Sequence, residues 1–321
     1  MFKIFVTRKI PTAGIKLLKQ KKYRVKISPY DRVLKKEEII KMGKGSDALL
    51  CLLTDKIDDN VMEGLGSQLK IISNYAVGFD NIDLKAAKER NIMVTNTPEV
   101  LTETVVEHTI ALLFAIARRI VEADKFTRAG KYKGWEPLLF LGSNVVGKTL
   151  GIVGFGRIGG EITKRMSQGF GLKIIYYDVF RNKKAEKELG IKYVQFKNLL
   201  KTADFVSLHV PLLPQTRHLI GPKELKTMKR TAYLINTSRG PVVDEKALVK
   251  ALKNNWIRGA ALDVFEFEPK LAFGLTKLNN IVLTPHIASA TEETRSKMAE
   301  LAAKNIIAVL SGKTPPNLVK I

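Results

Sequence analysis

Three side chains of complementary chemistry follow three apolar segments in the last third of the chain. Arg239 comes shortly after "AYLIN", Glu268 after "GAALDVF" and His286 after "NIVLTP". A guanidinium can bind a carboxylate through two hydrogen bonds, and an imidazole can donate a proton to a carbonyl oxygen and take it back in the reverse reaction. A carboxylate beside that imidazole favours its protonated form. Together the three residue types predict proton transfer at the carbonyl group of a small carboxylic acid.

Each of the three side chains has an ordinary structural interpretation when it is taken alone. One histidine at a strand end is more often structural than catalytic, and Glu268 alone would be a solvated carboxylate. Arg239 is one of 54 Lys and Arg residues. The functional interpretation requires that the three apolar segments are strands of one parallel sheet, because ligands of such sheets bind beyond the carboxyl ends of the strands.

The segment "GIVGFGRIGG" contains the spacing G-x-G-x-x-G at Gly154, Gly156 and Gly159. It follows the predicted strand "TLGIV" and opens the predicted helix "GGEITKRM", which is the context that a dinucleotide-binding turn requires. The glycines allow a tight turn and the approach of a pyrophosphate, which the N–H groups at the start of the helix can bind. Asp178 ends the next predicted strand, 19 residues after Gly159, where a carboxylate can accept hydrogen bonds from the adenosine ribose. The motif therefore predicts a dinucleotide cofactor.

Asp178 also bears on which dinucleotide binds. A carboxylate at this position repels a 2′-phosphate, which favours NAD over NADP. The next residues, "DVFRNKK", supply Arg181, Lys183 and Lys184, and a cation there could tolerate the phosphate. We therefore expect NAD, with NADP left open as the alternative.

The other three histidines receive different interpretations. His108 lies in a predicted helix and His218 in a polar connection, so we interpret both as structural. His209 ends a predicted strand in "SLHVPLLPQT", and we interpret it as lining the cofactor site.

Short apolar runs alternate with helical patterns along the whole chain. The runs "FKIFVT", "RVKIS", "DALLCLL", "LKIIS" and "NIMVT" are separated by helical candidates such as "TAGIKLLKQ" and "KEEIIKMG". This rhythm predicts βαβ units and mostly parallel sheets. A second series of strands begins at "KTLGIVGFGRIGG", so the 321 residues are expected to form two α/β domains.

Between the two series lies the segment "TETVVEHTIALLFAIARRIVEADKFTRAGK", which the pattern predicts to be one long helix. Its apolar face is wider than a surface helix needs. Trp135, Leu138, Leu139 and Phe140 follow in an irregular segment, and we expect a second subunit to cover this region. The last helix, in "TEETRSKMAELAAKNIIAVLSGK", would make the first domain discontinuous if it packed back onto it.

Val77 and Gly78 follow the predicted strand "LKIIS" in the first series. A small residue beside a glycine suits backbone N–H groups that bind a substrate carboxylate. A plain turn between a strand and a helix is the alternative, and this stretch alone does not decide between them.

Composition narrows the class of protein. The formal net charge is +23, but the basic residues are interleaved with apolar ones, as in "AGIKLLKQKKYRVKI", so we favour a solvated lysine-rich surface over a nucleic-acid-binding one. The single cysteine, Cys51, excludes an internal disulfide, fits a reducing cytoplasm and is expected to be buried. No apolar run reaches the roughly 18 residues of a membrane span, and the N-terminus is predicted to be a strand rather than a signal peptide.

With these motifs the chain resembles the D-isomer-specific 2-hydroxyacid dehydrogenases, and within them the glyoxylate/hydroxypyruvate reductase branch. The segments that carry the resemblance span nearly the whole chain and are "SNYAVGFDNID", "NTPEVLTETVVEHTIALL", "GIVGFGRIGGEI", "LINTSRGPVVDEKALVKAL", "ALDVFEFEP" and "VLTPHIASAT". The resemblance implies an α/β fold of two doubly wound domains, Rossmann-like or flavodoxin-like, with parallel sheets and a cleft between them. The implied substrate domain is discontinuous, 1–99 plus 288–321. The implied NAD(P)-binding domain is 100–287, with a dimerisation helix and loop at about 102–145 that forms a homodimer.

The resemblance also implies roles for individual residues. Arg239, Glu268 and His286 match the family's catalytic residues, and Arg239 and His286 also match its substrate contacts. The amides of Val77 and Gly78 match donors to the substrate carboxylate. The implied cofactor contacts are Gly154, Phe155, Gly156, Arg157, Ile158, Gly159, Asp178, Val210, Thr237, Ser238, Asp263, His286 and Ser289.

The expected activity is the NAD(P)H-dependent reduction of a short 2-oxo acid, glyoxylate or hydroxypyruvate, to the D-2-hydroxy acid. The reaction would take place in the cytoplasm without a metal ion, and the protein would not associate with a membrane. One alternative within the same fold is a D-3-phosphoglycerate dehydrogenase. Another is an NAD-sensing protein like the family's transcriptional corepressors, which would use the positive charge on nucleic acid.

Overall fold

The computed structural model describes residues 1–320, in which short buried strands alternate with helices. The strands are β1 (Lys3–Val6), β2 (Arg24–Ile27), β3 (Ala48–Leu52), β4 (Ile71–Tyr75), β5 (Met93–Thr95), β6 (Thr149–Val153), β7 (Lys173–Tyr177), β8 (Lys192–Tyr193), β9 (Phe205–Leu208), β10 (Tyr233–Asn236), β11 (Gly259–Leu262) and β12 (Ile281–Leu283). The helices are α1 (Thr12–Gln20), α2 (Lys36–Gly43), α3 (Asp59–Leu65), α4 (Leu84–Glu89), α5 (Thr102–Ala117), α6 (Ile120–Arg128), α7 (Arg157–Phe170), α8 (Lys183–Leu189), α9 (Phe196–Thr202), α10 (Pro222–Thr227), α11 (Glu245–Lys253) and α12 (Glu292–Leu310). No helix in this described range has the length and apolar composition needed to cross a bilayer.

The chain divides into two compact units. Unit 1 comprises Met1–Thr102 and a second segment that begins at Ser289, and unit 2 comprises Glu103–Ala288. Unit 1 contains a parallel sheet of five strands in the order β2-β1-β3-β4-β5. The central strand β3 is apolar and buried from Ala48 to Cys51, as a parallel strand covered on both faces must be, whereas the edge strand β2 alternates exposed and half-buried residues.

The C-terminal helix α12 packs within unit 1. The hydroxyl of Tyr75 donates to the carbonyl of Arg295 at 2.6 Å, and the hydroxyl of Ser73 donates to the carbonyl of Ala302 at 3.1 Å. Helix α1 lies against the same helix, and Gly14 makes the contact so close that a Cβ there would come within 2.1 Å of the Ala299 carbonyl oxygen. The backbones of α1 and α12 therefore pack in close contact, which only a small residue at position 14 permits.

Unit 2 contains a parallel sheet of seven strands in the order β8-β7-β6-β9-β10-β11-β12. Its first strand, β6, lies in the interior, and the chain runs outward first to one side and then to the other. This is the strand order of dinucleotide-binding sheets, whose ligands lie at the carboxyl edge where the order reverses, here between β6 and β9. Alternate residues of β10 enter hydrophobic clusters on opposite faces, Leu234 on one and Ile235 on the other.

The expectation of one long helix after the first series of strands is wrong. Helix α5 ends at Ala117 and α6 begins at Ile120, because Arg119 takes a left-handed conformation with φ of 56°. The carbonyl of Ala117 accepts the N–H of Ser143 at 2.8 Å, where a continuing helix would use its own backbone. A residue from a distant loop thus ends the helix, which the local pattern could not reveal.

The single cysteine lies in β3 and has no exposed surface, so the expected burial is confirmed. The thiol of Cys51 donates to Oδ1 of Asn74 at 3.5 Å. Burial raises the pKa of the Cys51 thiol, which disfavours the reactive thiolate.

The contact between α1 and α12 leads to a stability prediction. We expect Gly14→Ala to lower the free energy of unfolding by about 1–3 kcal/mol, because the added methyl group forces the two backbones apart. Chemical denaturation monitored by circular dichroism measures the change. The matched control is Gly169→Ala in α7, where a Cβ meets no atom within 4 Å and removal of glycine from a helix favours the folded state. Equal unfolding free energies for the two variants would contradict the prediction.

Candidate active site

The strands β10, β11 and β12 are neighbours in the seven-stranded sheet, so their carboxyl ends lie side by side. Arg239, Glu268 and His286 lie in the segments that follow these three strands. Nδ1 of His286 lies 2.9 Å from Oε2 of Glu268, and each side chain is 26% exposed. The structure thus brings the predicted imidazole and carboxylate into direct contact at an accessible position.

Glu268 is oriented by its own loop. Its Oε1 accepts the N–H of Phe265 at 2.9 Å, which leaves Oε2 directed at His286. Because an ionised carboxylate can only accept, Nδ1 of His286 carries a hydrogen in this contact. Nε2 is then the nitrogen of His286 that can exchange a proton with a ligand.

A buried carboxylate holds the turn that carries His286. Asp263 follows β11 and has no exposed surface. Its Oδ1 accepts from the Thr284 hydroxyl at 2.6 Å and from the Ile287 N–H at 2.9 Å, and its Oδ2 accepts from the Ala288 N–H at 2.8 Å. Burial acts to raise the pKa of Asp263, but hydrogen bonds from His108, Thr284 and the two amides outweigh it, so the pKa lies below its usual range.

The donors to Asp263 lie on both sides of His286 in the chain, so the carboxylate closes the turn around it. His286 has a φ of 54°, which is uncommon for a residue with a side chain. Its own N–H donates to the carbonyl of Asp263 at 2.8 Å. The imidazole therefore projects from a backbone that is held by several hydrogen bonds to Asp263 and by one from its own N–H to the carbonyl of Thr284 at 3.0 Å.

Arg239 lies on a turn that Asn236 organises. Oδ1 of Asn236 accepts from the N–H and the hydroxyl of Ser238, at 3.0 and 2.8 Å, and its amide group donates to the carbonyl of Arg239 at 3.0 Å. Nη1 of Arg239 donates to the Ser238 carbonyl at 2.9 Å. Asn236 has no exposed surface, so this turn is anchored to the end of β10.

Gly240 joins the turn of Arg239 to the loop of Glu268. A Cβ at Gly240 would lie 1.9 Å from the carbonyl carbon and oxygen of Phe265. Only glycine allows the two backbones to approach this closely. The position of Arg239 relative to Glu268 therefore depends on the residue that follows the arginine.

A second buried carboxylate accepts hydrogen bonds from the loop that carries Glu268. Glu245 begins α11 and is 1% exposed. Its Oε1 accepts the N–H of Glu266 at 2.5 Å, and its Oε2 accepts the N–H of Ala272 at 2.9 Å, so the two bonds bracket Glu268. Burial raises the pKa of Glu245, and the nearby carboxylates of Glu266 and Glu268 act in the same direction.

Two histidines that were interpreted as structural contact acidic residues beside the site. Nε2 of His108, in α5, lies 3.1 Å from the Thr284 hydroxyl and 3.4 Å from Oδ1 of Asp263. Nε2 of His218 lies 2.7 Å from Oε1 of Glu266. Over residues 1–320, no group of three or more His, Cys, Asp or Glu side chains is arranged to hold a metal ion.

The glycine-rich turn fits a dinucleotide pyrophosphate. A Cβ at Gly159 would come within 2.3 Å of the Gly154 carbonyl oxygen, and Gly154 itself has a φ of 93°. By contrast, a Cβ at Gly156 would meet no atom within 4 Å, so the backbone there faces open space. Helix α7 starts at Arg157, directly after Gly156 and before Ile158, and no side chain caps it. The N–H groups of such a helix start can bind an anion.

Asp178 lies at the end of β7 and contacts this turn. Its Oδ2 accepts the N–H of Phe155 at 2.6 Å, and its Oδ1 accepts the N–H of Phe180 at 3.0 Å. The ring of Phe155 contacts the ring of Tyr176 with centroids 4.4 Å apart. The carboxylate thus fixes the glycine turn, and its remaining lone pairs could accept from ribose hydroxyls.

His209 and Val210 follow β9, on the other side of the point where the strand order reverses. A Cβ at Gly154 would lie 2.6 Å from the His209 carbonyl oxygen and 2.9 Å from Cγ1 of Val210, so both residues adjoin the glycine turn. Nε2 of His209 lies 2.8 Å from the Ser207 hydroxyl, and loss of hydration lowers the pKa of His209 to about 3. The imidazole is therefore neutral at physiological pH.

The other predicted contact residues lie in turns of their own units. Thr237, on the turn of Arg239, has its hydroxyl 2.8 Å from that of Thr109 in α5. Ser289 starts the second segment of unit 1, where its carbonyl accepts the N–H of Thr291 at 3.1 Å. Their proximity to a cofactor is a prediction.

Val77 and Gly78 lie in the loop after β4 in unit 1. The carbonyl of Val77 accepts from the Asn96 amide group at 2.7 Å, and the carbonyl of Gly78 accepts from the Asn74 amide group at 2.8 Å. The carbonyl of Ala76, which shares a peptide group with the Val77 N–H, accepts the N–H of Thr97 at 2.8 Å, so the peptide groups of this loop are held within unit 1. Their binding to a substrate carboxylate stays a prediction.

Sequence reasoning missed the residues that position the site. Glu245 and Asn236 were not singled out, although both lie in "LINTSRGPVVDEKALVKAL". The available signal was an acidic residue at the first position of a predicted helix, which ordinarily indicates a solvated helix start rather than a buried acceptor. Only the return of the loop after β11 gives Glu245 its partners.

Comparison with known proteins gives consistent matches over nearly the whole chain. The family described as D-isomer specific 2-hydroxyacid dehydrogenase, NAD binding domain, matches residues 110–288. A protein named glyoxylate reductase from Thermococcus litoralis is 54% identical over 321 residues, covering 99% of this chain and 96% of the relative. Another glyoxylate reductase, from Korarchaeum cryptofilum, is 53% identical and covers 99% of this chain and 95% of the relative.

Solved structures agree with this fold. The TT0316 protein from Thermus thermophilus has a TM-score of 0.92 at 42% identity, covering 99% of this chain and 100% of its own. The NADPH-dependent glyoxylate/hydroxypyruvate reductase of Sinorhizobium meliloti, solved with NADP and malonate, has a TM-score of 0.87 at 30% identity, covering 99% of this chain and 96% of its own. The predicted fold class, two α/β units with parallel sheets, is confirmed.

The pKa of His209 leads to a prediction about acid stability. The unfolded chain protonates this histidine near pH 6.5, whereas the folded protein keeps it neutral down to about pH 3. The unfolded state therefore binds one more proton in this window, and stability falls as the pH falls below 6.5. We expect the wild type to lose about 2 kcal/mol more unfolding free energy than His209→Gln between pH 6.5 and 5. Denaturant titrations at both pH values measure the difference, and parallel losses in the two proteins would contradict it.

Proposed function

Because the chain belongs to the D-isomer specific 2-hydroxyacid dehydrogenase family, we propose that it reduces glyoxylate or hydroxypyruvate to the D-2-hydroxy acid with NADH or NADPH. Membership of this family identifies the chain as an NAD(P)-dependent oxidoreductase. The names of its relatives, glyoxylate reductase and glyoxylate/hydroxypyruvate reductase, support the choice of substrate.

The observation that carries this proposal is the contact between Nδ1 of His286 and Oε2 of Glu268, at the same sheet edge as Arg239. An imidazole whose Nδ1–H is held by a carboxylate can donate a proton from Nε2 and remain oriented while it does so. A guanidinium nearby supplies the donors that a substrate carboxylate requires.

We assign one role to each of the three side chains. Arg239 binds the carboxylate of the 2-oxo acid and polarises the neighbouring carbonyl oxygen. His286 donates the proton on Nε2 to that oxygen, so the carbonyl becomes a hydroxyl group. Glu268 stabilises the imidazolium before the transfer and retains the Nδ1 hydrogen bond after it. A bound NAD(P)H supplies the hydride that the carbonyl carbon accepts. In the reverse direction, His286 removes the hydroxyl proton.

We also propose that the N–H groups of Val77 and Gly78 donate to the substrate carboxylate. The carbonyl of Ala76 shares a peptide group with the Val77 N–H and accepts the N–H of Thr97 at 2.8 Å, and the carbonyl of Val77 shares one with the Gly78 N–H and accepts from the Asn96 amide group at 2.7 Å. These two bonds support the proposal, because they restrict the orientation of the two peptide groups whose N–H groups would donate. For the cofactor, the glycine turn from Gly154 would bind the pyrophosphate.

The remaining cofactor contacts are proposed on the family resemblance. They comprise ribose contacts from Asp178 and further contacts from Val210, Thr237, Ser238, Asp263 and Ser289. Asp263 would act mainly by holding the turn of His286, since the Thr284 hydroxyl and two amides already donate to its carboxylate.

We further propose that the enzyme works in the reducing cytoplasm and binds no nucleic acid. Its only cysteine is a buried free thiol, which suits a reducing compartment. Exposed lysines pair with glutamates along helices, as in Lys85–Glu89 and Lys304–Glu300, which supports a mixed solvated surface.

Steady-state kinetics test the proposed reaction. We expect oxidation of NADH or NADPH with glyoxylate or hydroxypyruvate, and weaker or no turnover with pyruvate and phosphohydroxypyruvate. Arg239→Ala should lower kcat/KM by about 10²–10³-fold, because the substrate carboxylate and the developing oxyanion lose their donor. His286→Ala should lower kcat by about 10²–10⁴-fold, because no group is left to transfer the proton.

The matched control is Arg230→Ala, which removes an exposed guanidinium elsewhere in the same unit and should leave the kinetics unchanged. Wild-type kinetics in Arg239→Ala or His286→Ala would refute the assigned roles. Preferred turnover of phosphohydroxypyruvate would favour the phosphoglycerate dehydrogenase alternative.

We propose that the enzyme is a homodimer formed through α6 and the segment after it. Helix α6 has no buried residue, and the following segment exposes Trp135 by 82% and Leu138 by 77%. Large exposed apolar side chains grouped in one region usually mark an interface, and aromatic anchors carry much of its binding energy.

Sedimentation equilibrium tests this assembly. We expect the wild type to have twice the 35.9 kDa mass of one chain, and Trp135→Asp/Leu138→Asp to have the mass of one chain. The control is Phe273→Asp, which changes a side chain that is 90% exposed outside the proposed interface. A monomeric wild type, or a dimeric double variant, would overturn the proposal.

A further inference from the structure

The segment between β7 and α8 contains an ion pair that the proposed reaction does not use. Nε and Nη2 of Arg181 donate to Oε1 and Oε2 of Glu186 at 2.8 and 2.7 Å, which is a two-point contact between a guanidinium and a carboxylate. The Arg181 side chain is 54% exposed and the Glu186 side chain 15%. Arg181 lies three residues after Asp178, in the stretch where cations of dinucleotide-binding sheets accommodate a 2′-phosphate.

A buried tyrosine holds Glu186 in place for this contact. The hydroxyl of Tyr176 donates to Oε1 of Glu186 at 2.8 Å and accepts the N–H of Asn182 at 2.8 Å. Tyr176 has no exposed surface. Hydrogen bonds from Arg181, with a contribution from Tyr176, lower the pKa of Glu186 to about 2. The carboxylate is therefore charged and oriented before any ligand arrives.

The guanidinium is also held from the other side. It lies 5.6 Å from the centre of the Tyr193 ring, on the edge strand β8. Asp178, by contrast, directs its oxygens at the N–H groups of Phe155 and Phe180. The two side chains thus have separate partners: the carboxylate faces the glycine turn and the cation faces Glu186.

We propose that Glu186 is a specificity-determining residue that disfavours NADP by engaging Arg181, the cation that could otherwise neutralise a 2′-phosphate. The inference deepens the proposed function and rests on its use of a nicotinamide dinucleotide. With Glu186 present, Asp178, Arg181 and Glu186 sum to one negative charge, which repels a phosphate but not the hydroxyls of a ribose. Without Glu186, the three positions sum to zero and Arg181 can bind the phosphate.

The other charged groups of α8 do not replace Glu186 in this role. Nζ of Lys184 lies 3.8 Å from Oε1 of Glu188, one turn further along the helix. The charge of Lys183 helps to lower the pKa of Glu186 without belonging to the two-point contact. Glu188 is therefore a matched control, because its removal changes the net charge of the same helix by the same amount and leaves Arg181 paired.

Isothermal titration calorimetry of the full-length protein with NADH and with NADPH tests the inference. We expect the wild type to bind NADH more tightly. Glu186→Ala should tighten NADPH binding relative to NADH by at least about tenfold, because a released guanidinium gains charge-assisted hydrogen bonds to the phosphate. Glu188→Ala should leave the ratio of the two dissociation constants at the wild-type value.

A double variant identifies the group responsible. In Arg181→Ala/Glu186→Ala the ratio should return to within about threefold of the wild type, since no released guanidinium remains. Unchanged NADH binding in each variant shows that the site is folded. An unchanged ratio in Glu186→Ala, the same gain in Glu188→Ala, or a gain that persists without Arg181 would each overturn the proposal. A wild type that reduces neither glyoxylate nor hydroxypyruvate would instead refute the proposed function. The two failures can be distinguished, because the dissociation constants of NADH and NADPH are measured without substrate.

Discussion

The candidate active site depends on the hydrogen bonds that the buried carboxylate of Asp263 accepts. Burying a charge is costly unless hydrogen bonds compensate for the lost hydration. Asp263 obtains those bonds from the Thr284 hydroxyl and from the amides of Ile287 and Ala288, which are the residues around His286. The requirement to satisfy one buried charge therefore shapes the turn that presents the imidazole. Nδ1 of His286 then lies within 2.9 Å of Glu268.

The same principle operates in the loop of Glu268 and in the turn of Arg239. Glu245 is buried and bonds to the amides of Glu266 and Ala272, while Asn236 bonds within its own turn. Each of the three proposed catalytic side chains thus stands on an irregular segment that a buried polar group at the sheet fixes. Such support matters because hydrogen-bond donors and proton donors act efficiently only when their positions are set before the substrate binds. His286 and Glu268 are each 26% exposed, whereas the polar groups that hold their segments are buried.

Much of this organisation could be predicted from the order of residues alone. Parallel sheets follow from apolar runs separated by helical patterns, and the glycine spacing after "TLGIV" indicated a dinucleotide turn. Once the strands are parallel, their carboxyl ends share an edge, so Arg239, Glu268 and His286 could be grouped before any contact was known. These inferences need only local periodicity and one general property of parallel sheets, and the parallel sheets themselves are confirmed. The prediction of one helix over residues 102–131 is wrong because a contact that is distant in the sequence ends α5. The N–H of Ser143 donates to the carbonyl of Ala117.

The sequence by itself therefore determined the two α/β units, the dinucleotide turn and the identity of the three side chains that can perform proton transfer and carboxylate binding. Only the tertiary structure decided how those side chains are held. Gly240 contacts the backbone of Phe265, and Glu245 accepts from Ala272, 27 residues further along the chain. Likewise the pairing of Arg181 with Glu186 depends on the hydroxyl of Tyr176 across a turn. The physical reason is that a buried polar group selects its partners by where the folded chain brings donors and acceptors, and sequence spacing does not specify that position.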